Sequence, residues 1–265
     1  MKNKIIEAIA NPIRKLLGLI RIIVYLGSSF LYRLFQVKNC YFCPLCGYYG
    51  RFKTEKPVTG ARKNALCAKC GSSERHRLQY LVINEIRKTI DTKEMSMLHF
   101  APEYYFKTIF KPIFKTYITA DLEALNVDVR QDLTQLSFKD NTFDFFYASH
   151  VLEHIKNDRL ALSEIKRVLK PGGMAILPVP VIGKNTVEYG QEDRHEFGHV
   201  RCPGADYFDR YNEVFSKVRI YKSSDFDQKY QLYLYEDRTK WPDNITQRPF
   251  EAGEKHLDMV PVCVK

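Results

Sequence analysis

One continuous stretch, residues 143–180, constrains the fold of this chain more than any other: FDFFYASHVLEHIKNDRLALSEIKRVLKPGGMAILPVP. Phe143–Ala148 is an apolar run typical of a buried strand, and Asp158–Leu169 has apolar residues at helical spacing behind an acidic first turn. A Pro-Gly-Gly sequence ends that helix, and Met174–Val179 is a second apolar run. The order of strand, helix and strand predicts two parallel strands joined by a crossover helix.

The flanking sequence extends this pattern. Glu103–Phe110 predicts a helix, and further strands are predicted at Met97–Ala101, Thr116–Asp121, Val127–Arg130, Lys217–Tyr221 and Leu257–Val264. Strands that alternate with helical patterns predict an α/β fold, a Rossmann-like, doubly wound, mostly parallel seven-stranded sheet. We assign residues 74–265 to this domain. A chain of 265 residues with 45% hydrophobic residues can bury such a core without disulfides.

Two cysteine pairs of the Cys-x-x-Cys type precede the domain. Cys43 and Cys46 form the first pair, Cys67 and Cys70 form the second, and a glycine follows each pair. Two thiolates three positions apart on a tight turn can both reach one tetrahedral zinc ion, at about 2.3 Å each. The spacing therefore predicts a structural zinc ribbon over residues 39–73. The metal would supply its folding energy, because so short a module buries little by itself.

Cys40 leaves one ambiguity, because Cys40 and Cys43 also form a Cys-x-x-Cys pair. We favour Cys43 with Cys46, since that pair has the trailing glycine of the second pair. Disulfides are the alternative use of these thiols, and the lack of a secretory cleavage site argues against them. Cys202 and Cys263 are isolated and are interpreted as buried thiols.

The basic excess lies at the N-terminal end of the chain. Residues 1–93 hold 18 Lys and Arg against 5 Asp and Glu, whereas residues 94–265 hold 23 against 26. An acidic partner, either a nucleic-acid backbone or anionic lipid headgroups, would therefore meet the first third of the chain. A solvated basic surface is the alternative. Basic residues interleaved with aromatic ones between the cysteine pairs suit single-stranded nucleic acid, but no readout motif accompanies them.

Residues 1–38 have apolar residues at helical spacing, which predicts a basic amphipathic helical leader. Its longest uncharged run, Ile22–Tyr32, has 11 residues, whereas a membrane-spanning helix needs about 20. One interpretation is a helix that lies in the membrane interface, and the other is a helix whose apolar face packs on protein. We expect a cytoplasmic protein, associated with the inner face of the membrane if the first interpretation holds.

The sequence Ser-His-Val-Leu-Glu-His at residues 149–154, with the helix and the Pro-Gly-Gly that follow it, resembles the middle of a class I S-adenosylmethionine-dependent methyltransferase of type 11. A four-cysteine ribbon with the tail Cys-Gly-Ser-Ser-Glu-Arg-His at residues 70–76 resembles a bacterial subgroup of that family. The resemblance implies an enzyme that uses S-adenosylmethionine and carries structural zinc. It also implies that the last two strands form an antiparallel pair at the sheet edge.

The resemblance assigns cofactor contacts residue by residue, at the carboxyl ends of the strands. Asp121 is assigned to the ribose hydroxyls, Asp132 to the adenine and Glu103 to the methionine ammonium. The other assigned residues lie beside these acids or in the loops after strands one and four: His99, Ala101, Leu122, Leu133, Ser149 and His150. The loop after strand one lacks the Gly-x-Gly of the family, and Ala101 stands in that turn. Taken alone, each aspartate could equally be a cap or a turn residue.

A polar stretch, Tyr189–Arg201, follows strand five in the place of the family's acceptor loop. The catalytic candidates are His150 at the reacting centre and Glu192 or His195 for taking the acceptor's proton. His195, His199 and Arg201 are candidates for positioning the acceptor, and a solvated charged loop is the alternative.

The sulfonium donor is already activated, so such a protein mainly aligns the acceptor and excludes water. The acceptor itself is not identified by the sequence, although the polar loop and the leader favour a saccharide or a lipid-linked glycan. Two other functions stay open: an RNA methyltransferase that binds RNA with its ribbon, and a non-catalytic protein with the methyltransferase fold.

Overall fold

The computed structural model describes residues 39–56, 61–237 and 255–265, together with Gly27. Apart from that glycine, the predicted amphipathic leader lies outside the described residues. Within them, no helix has the length and apolar character needed to cross a bilayer.

The described residues form fifteen strands and four α-helices. The strands are β1 (Tyr41–Phe42), β2 (Tyr49–Gly50), β3 (Lys53–Glu55), β4 (Ala61–Leu66), β5 (Ser96–Phe100), β6 (Thr116–Asp121), β7 (Val129–Arg130), β8 (Phe143–Ala148), β9 (Leu169–Ile176), β10 (Val187–Asp193), β11 (His199–Cys202), β12 (Lys217–Lys222), β13 (Leu234–Asp237), β14 (Lys255–His256) and β15 (Met259–Val264). The helices are α1 (Glu74–Arg87), α2 (Tyr104–Phe110), α3 (Asp158–Val168) and α4 (Asp209–Val214).

Seven of the strands make one sheet in the order β12-β15-β9-β8-β5-β6-β7. The strands from β9 to β7 are parallel, whereas β15 runs antiparallel to both of its neighbours. The order reverses at β5, which has β8 on one side and β6 on the other, and ligands bind at such a switch point. The predicted fold class and the antiparallel pair at the sheet edge are confirmed.

The strand after α3 differs from its predicted bounds. It begins at Leu169, ahead of the predicted Met174. Gly172 has a φ of 75°, and the register against β8 shifts here. The Pro-Gly-Gly sequence is therefore a bulge within the strand rather than a loop before it.

Alternate residues of β8 face the two sides of the sheet. Phe146 packs with Leu98 and the buried face of α3, whereas Tyr147 packs with Met97 and Phe106 beneath α1 and α2. All five side chains are fully buried, and burying one of this size contributes about 1.5–3 kcal/mol. Both faces of the sheet are covered, so its carboxyl edge is the place for a site.

The cysteine module is joined to the domain by a shared sheet of order β14-β13-β4-β3. Strand β13 comes from the chain between β12 and β15, and it pairs antiparallel with β4, with Asp237 opposite Ala61. On its other side β4 pairs antiparallel with β3. Strands from both sides of the predicted boundary at residue 73 therefore share one hydrogen-bonded sheet.

Candidate functional site

Four cysteine sulfurs converge in the module. The Sγ atoms of Cys43, Cys46, Cys67 and Cys70 all lie within 4.8 Å of one another, with 3.7 Å between Cys43 and Cys70 and 3.6 Å between Cys46 and Cys67. Sulfurs bound tetrahedrally to one zinc ion are separated by roughly 3.8 Å, so this donor set fits zinc. Cys40 is not in the group, and the cysteines form no disulfide.

Both cysteine pairs lie on the same kind of turn. The amide of Gly47 donates to the carbonyl of Cys43, and the amide of Gly71 donates to that of Cys67, each over 2.9 Å. The two glycines have left-handed backbones, with φ of 71° and 76°. A residue with a Cβ is strained in this conformation, which explains the glycine after each pair.

The loop after β5 turns at Ala101, where the resembled family has glycines. Ala101 has a φ of 49°, and its amide donates to the carbonyl of Ala120 over 2.8 Å. A left-handed alanine is strained by about 1 kcal/mol or more. The chain thus makes a tight turn at this position without a Gly-x-Gly sequence.

Glu103, directly before α2, is an ionised and largely buried carboxylate. Its Oε1 lies 2.8 Å from Nη2 of Arg75 and 3.2 Å from Nε2 of His76. Burial raises the pKa of Glu103, but His76 and Arg75 outweigh burial and lower that pKa to about 2. Its Oε2 is buried without a hydrogen-bond partner in the described part of the chain. This oxygen can accept a hydrogen bond from a cationic ligand.

Asp121 is the last residue of β6 and Asp132 follows β7, and each closes a turn. Oδ1 of Asp121 accepts from the amides of Glu123 and Ala124 over 2.8 and 2.9 Å, and Oδ1 of Asp132 accepts from the amide of Thr134 over 2.8 Å. Each turn uses only Oδ1, which leaves Oδ2 for a ligand. The turn and the cofactor interpretations are therefore compatible at both aspartates.

Leu122 and Leu133, the neighbours of these acids, differ in exposure. The side chain of Leu122 is 58% exposed, whereas Leu133 is 2% exposed and belongs to the core. Leu122 can offer an apolar surface to a ligand, while Leu133 can offer only its backbone.

The side chain of His99 lies in the aromatic core. Its ring centroid is 5.3 Å from that of Phe110 and 4.9 Å from that of Tyr147, and its Nδ1 lies 2.7 Å from the Tyr117 hydroxyl. Burial lowers its pKa to about 3. The alternation along β5 turns this side chain under α2, which argues against the predicted contact between His99 and a cofactor.

Ser149 and His150 follow β8. The Ser149 hydroxyl accepts from Nε2 of Gln79 over 3.1 Å, and Tyr147 donates to Oε1 of the same amide. Gln79 is fully buried in α1, and the sequence did not reveal it because a single glutamine in a helix carries no motif. His150 has a left-handed backbone, with φ of 55°. Such conformations cluster at functional sites.

A cavity of about 590 Å³ opens between the cysteine module, the start of α1 and the ends of β8 and β9. Polar and charged side chains make up much of its wall, and they include Arg62, Glu74, Arg75, His150, His199 and Asp258. Asp121 and Asp132 are not part of this wall. The site therefore has an acid-lined edge and a separate polar cavity, with His150 in the cavity wall.

Two predicted catalytic residues lie outside the cavity. Glu192 and His195 are exposed, and neither lines the wall, whereas Glu196 and His199 from the same loop do. Asp193 accepts from the amide of His195 over 2.8 Å at the start of a 3-10 turn, so backbone geometry decides which side chains face inward. The structure does not support Glu192 or His195 as the acceptor's base, and His150 remains.

Arg201 anchors the loop rather than facing an acceptor. It is 2% exposed, and it donates to the carbonyls of Leu152, Ile155 and Lys156 over 2.7, 2.6 and 3.0 Å. Its guanidinium thus fastens β11 to the 3-10 helix Leu152–His154.

Asp258 contributes an unpredicted acid to the cavity wall. It is 7% exposed, and its Oδ1 accepts from the amide of Met259 over 2.9 Å. Burial raises its pKa to about 6, although His150 acts to lower it. The sequence did not reveal this residue because it lies in a stretch that is otherwise typical of an edge strand.

One basic residue of the module is already paired. Nη2 of Arg62 lies 3.1 Å from Oε2 of Glu55 and 2.7 Å from Oε2 of Glu74. This pairing reduces the basic surface that the module presents to a nucleic acid.

Residues 110–177 match the profile of a family described as a methyltransferase domain. The matched segment includes Asp121, Asp132, Ser149 and His150. This segment therefore resembles a methyltransferase domain, and it lies within the Rossmann-like sheet.

The chain is 40% identical over 58 residues to demethylmenaquinone methyltransferase of Staphylococcus aureus (strain JH9). The aligned residues make up 22% of this chain and 24% of that protein. The match thus spans about a quarter of the relative's length. Among solved structures, Haemonchus contortus phosphoethanolamine N-methyltransferase 2, in complex with phosphomonomethylethanolamine and S-adenosylhomocysteine, has a TM-score of 0.49 at 16% identity, covering 71% of this chain and 52% of that one. An S-adenosylmethionine-dependent methyltransferase from Mesorhizobium loti has a TM-score of 0.47 at 10% identity, covering 72% and 100%.

Proposed function

We propose that the chain is an S-adenosylmethionine-dependent methyltransferase whose cysteine module holds a structural zinc ion. The observation that carries the proposal is a row of carboxylates at the ends of the neighbouring strands β5, β6 and β7: Glu103 follows β5, Asp121 ends β6 and Asp132 follows β7. Parallel strands bring their carboxyl ends to one edge, so the three acids lie along one edge of the sheet. The methyltransferase match over residues 110–177 supports the same assignment.

The residues at this edge fit the chemical groups of the cofactor. Oε2 of Glu103, which has no partner in the part of the chain that the structure describes, suits an ammonium group. Asp121 suits a pair of hydroxyls, and the exposed side chain of Leu122 suits a flat aromatic base. When bound, S-adenosylmethionine supplies a methyl group on an already activated sulfonium. The protein's part is to orient the acceptor, exclude water and, for a hydroxyl acceptor, take its proton at the His150 imidazole.

The acceptor that we propose is a polar molecule, either a saccharide or a lipid-linked glycan. The cavity wall carries charged and hydrogen-bonding groups such as Arg75, His150 and Asp258. An apolar acceptor would leave these groups desolvated and unpaired, which is unfavourable. We also propose a cytoplasmic location, with residues 1–38 lying at the membrane surface.

Calorimetric titration of the zinc-loaded chain with S-adenosylmethionine tests the enzyme assignment. We expect micromolar binding to the wild type. Asp121→Ala is expected to weaken that binding at least tenfold, which is about 1.4 kcal/mol. Asp121→Asn keeps an oxygen for the turn but removes the charge, so it should also bind more weakly while remaining folded.

The matched control is Glu123→Ala, which removes an exposed carboxylate two positions further along the chain. This variant should bind like the wild type. Glu103→Gln should weaken binding of S-adenosylmethionine and leave the calorimetric stoichiometry at one. A flat trace for the wild type would remove the methyltransferase proposal and favour a non-catalytic protein.

A further inference from the structure

Glu153, His154 and His199 form a second cluster of metal-binding side chains, apart from the cysteines. One ligand atom of each residue lies within 4.8 Å of the other two. Glu153 and His154 belong to the 3-10 helix after β8, and His199 begins β11. The two imidazole centroids are 4.7 Å apart. Methyl transfer, as proposed above, does not use this group of three.

The Glu153 carboxylate has an unusual environment for a buried acid. The residue is 0% exposed, and neither of its oxygens has a hydrogen-bond partner within the described residues. Nδ1 of His150 lies 3.3 Å from Oε1, within ion-pair distance but without a hydrogen bond, and no such bond reaches Oε2 within the described residues. Buried polar atoms without partners are rare and destabilising. A cation held between Glu153 and the imidazoles would satisfy the carboxylate.

The backbone around the cluster is held in place. Arg201, two residues after His199, donates to the carbonyls of Leu152 and Ile155, which flank Glu153 and His154. The same guanidinium therefore fixes both elements that carry the three ligands. Preorganised ligands of this kind are what a metal site requires.

We propose that Glu153, His154 and His199 bind a divalent transition-metal ion, distinct from the zinc of the cysteine module. Two imidazoles and one carboxylate suit zinc, iron, cobalt or nickel, and three protein ligands leave coordination positions open. Ligand atoms about 2.1 Å from one ion are separated by roughly 3 to 4 Å, so small side-chain rotations complete the site. His199 also lines the 590 Å³ cavity, so the ion lies at the cavity wall.

Cobalt(II) is the probe, added to full-length protein whose cysteine module is already loaded with zinc. Calorimetry gives the affinity and stoichiometry, and visible absorption identifies the ligands. Cobalt at a site of nitrogen and oxygen ligands gives weak bands, whereas cobalt bound to thiolates gives intense charge-transfer bands. The variants are His154→Ala, His199→Ala and Glu153→Gln. The matched control is His195→Ala, which removes an exposed histidine from the same loop.

We expect the wild type and His195→Ala to bind one cobalt ion with weak bands and no release of zinc. His154→Ala and His199→Ala should lower the cobalt affinity at least tenfold, and both should remain folded, because His154 is exposed and His199 half-buried. Affinities equal to the wild type in both variants, no binding to the wild type, or cobalt bound only with thiolate bands would each overturn the proposal. Binding of S-adenosylmethionine is measured separately, so failure of the methyltransferase proposal would leave the cobalt result interpretable.

Discussion

Arg77 donates a 2.7 Å hydrogen bond from Nη1 to the carbonyl of Ser72, just beyond the second cysteine pair. That carbonyl also accepts the amide of Cys67 over 2.9 Å. The same Nη1 also donates to the carbonyl of Ala65 in β4. Nη2 donates to the carbonyl of Gln231 and Nε to that of Tyr230, both in the chain that leads to β13. Arg77 is fully buried. One guanidinium in the first turn of α1 therefore joins the cysteine module to the segment of chain that leads to β13.

Replacing Arg77 should destabilise the protein strongly. Arg77→Met leaves three buried carbonyls without their charged donor, and each loss is worth about 1–3 kcal/mol. We expect the free energy of unfolding in urea to fall by at least about 3 kcal/mol. Arg87→Met, at an exposed arginine in the last turn of the same helix, should change it by less than about 0.5 kcal/mol. Equal effects of the two variants would contradict the joining role of Arg77.

The metal content of purified protein should depend on Cys43 and not on Cys40. Cys43→Ser removes one of four converging sulfurs, so we expect the bound zinc to fall from one ion per chain to well below one. Cys40→Ser should retain the full zinc content, because Cys40 lies outside the cluster. Elemental analysis after dialysis measures both values, and zinc loss in Cys40→Ser alone would reverse the ligand assignment.

The two turn glycines should differ in their tolerance of alanine. Both have the same left-handed backbone, but a Cβ on Gly71 would lie 2.8 Å from the Tyr105 hydroxyl, while a Cβ on Gly47 would meet nothing within 4 Å. We expect Gly71→Ala to lower stability by about 1 kcal/mol more than Gly47→Ala. The Tyr105 hydroxyl donates to the backbone carbonyl of Cys70, so the hydroxyl cannot move away without losing that hydrogen bond.

Adding Tyr105→Phe to each alanine variant makes this test independent of backbone strain. The hydroxyl is then absent, and the difference between the two alanine variants should shrink towards zero. A difference that persists would show that the contact with Tyr105 is not its cause.

Asp258 should make stability fall as the pH rises. Its pKa is raised from an ordinary 3.8 to about 6 by burial, so its favourable contribution is complete below pH 3.8 and is lost as the pH rises through 6. Because proton binding and folding are linked, the free energy of unfolding is expected to fall by about 1 kcal/mol between pH 5 and pH 7. In Asp258→Asn this loss should be absent, so the stability of the variant should rise relative to that of the wild type over that interval.

Urea denaturation at several pH values between 5 and 7 measures the difference between the two proteins, and any pH dependence of zinc binding is common to both. Asp209→Asn, at an exposed carboxylate, serves as the control, and its stability should change with pH as that of the wild type does. Parallel curves for Asp258→Asn as well would mean that Asp258 does not titrate in this range.

Much of the candidate site was predictable because its signals are local. The cysteine pairs and their glycines lie within a few residues of each other, and geometry at this range follows from backbone rules. Asp121 and Asp132 were placed at strand ends because apolar strands and polar turns alternate in sequence. By contrast, the exposure of Glu192 and His195 depends on a 3-10 turn at Arg194–Glu196, for which the sequence of the polar loop contains no recognisable signal.

The sequence by itself determined the strands of the seven-stranded sheet, the helices that precede and follow them at Tyr104–Phe110 and Asp158–Val168, and the four cysteines that converge. Only the tertiary structure decided that β13 extends the sheet of the cysteine module and that Arg77 is buried beside that sheet. It also decided that Asp258 lines the cavity and that Glu153 lies close to His199. Short-range periodicity and turn chemistry encode the former. The latter depend on packing between residues far apart in the chain, for which a single sequence carries no periodic signal.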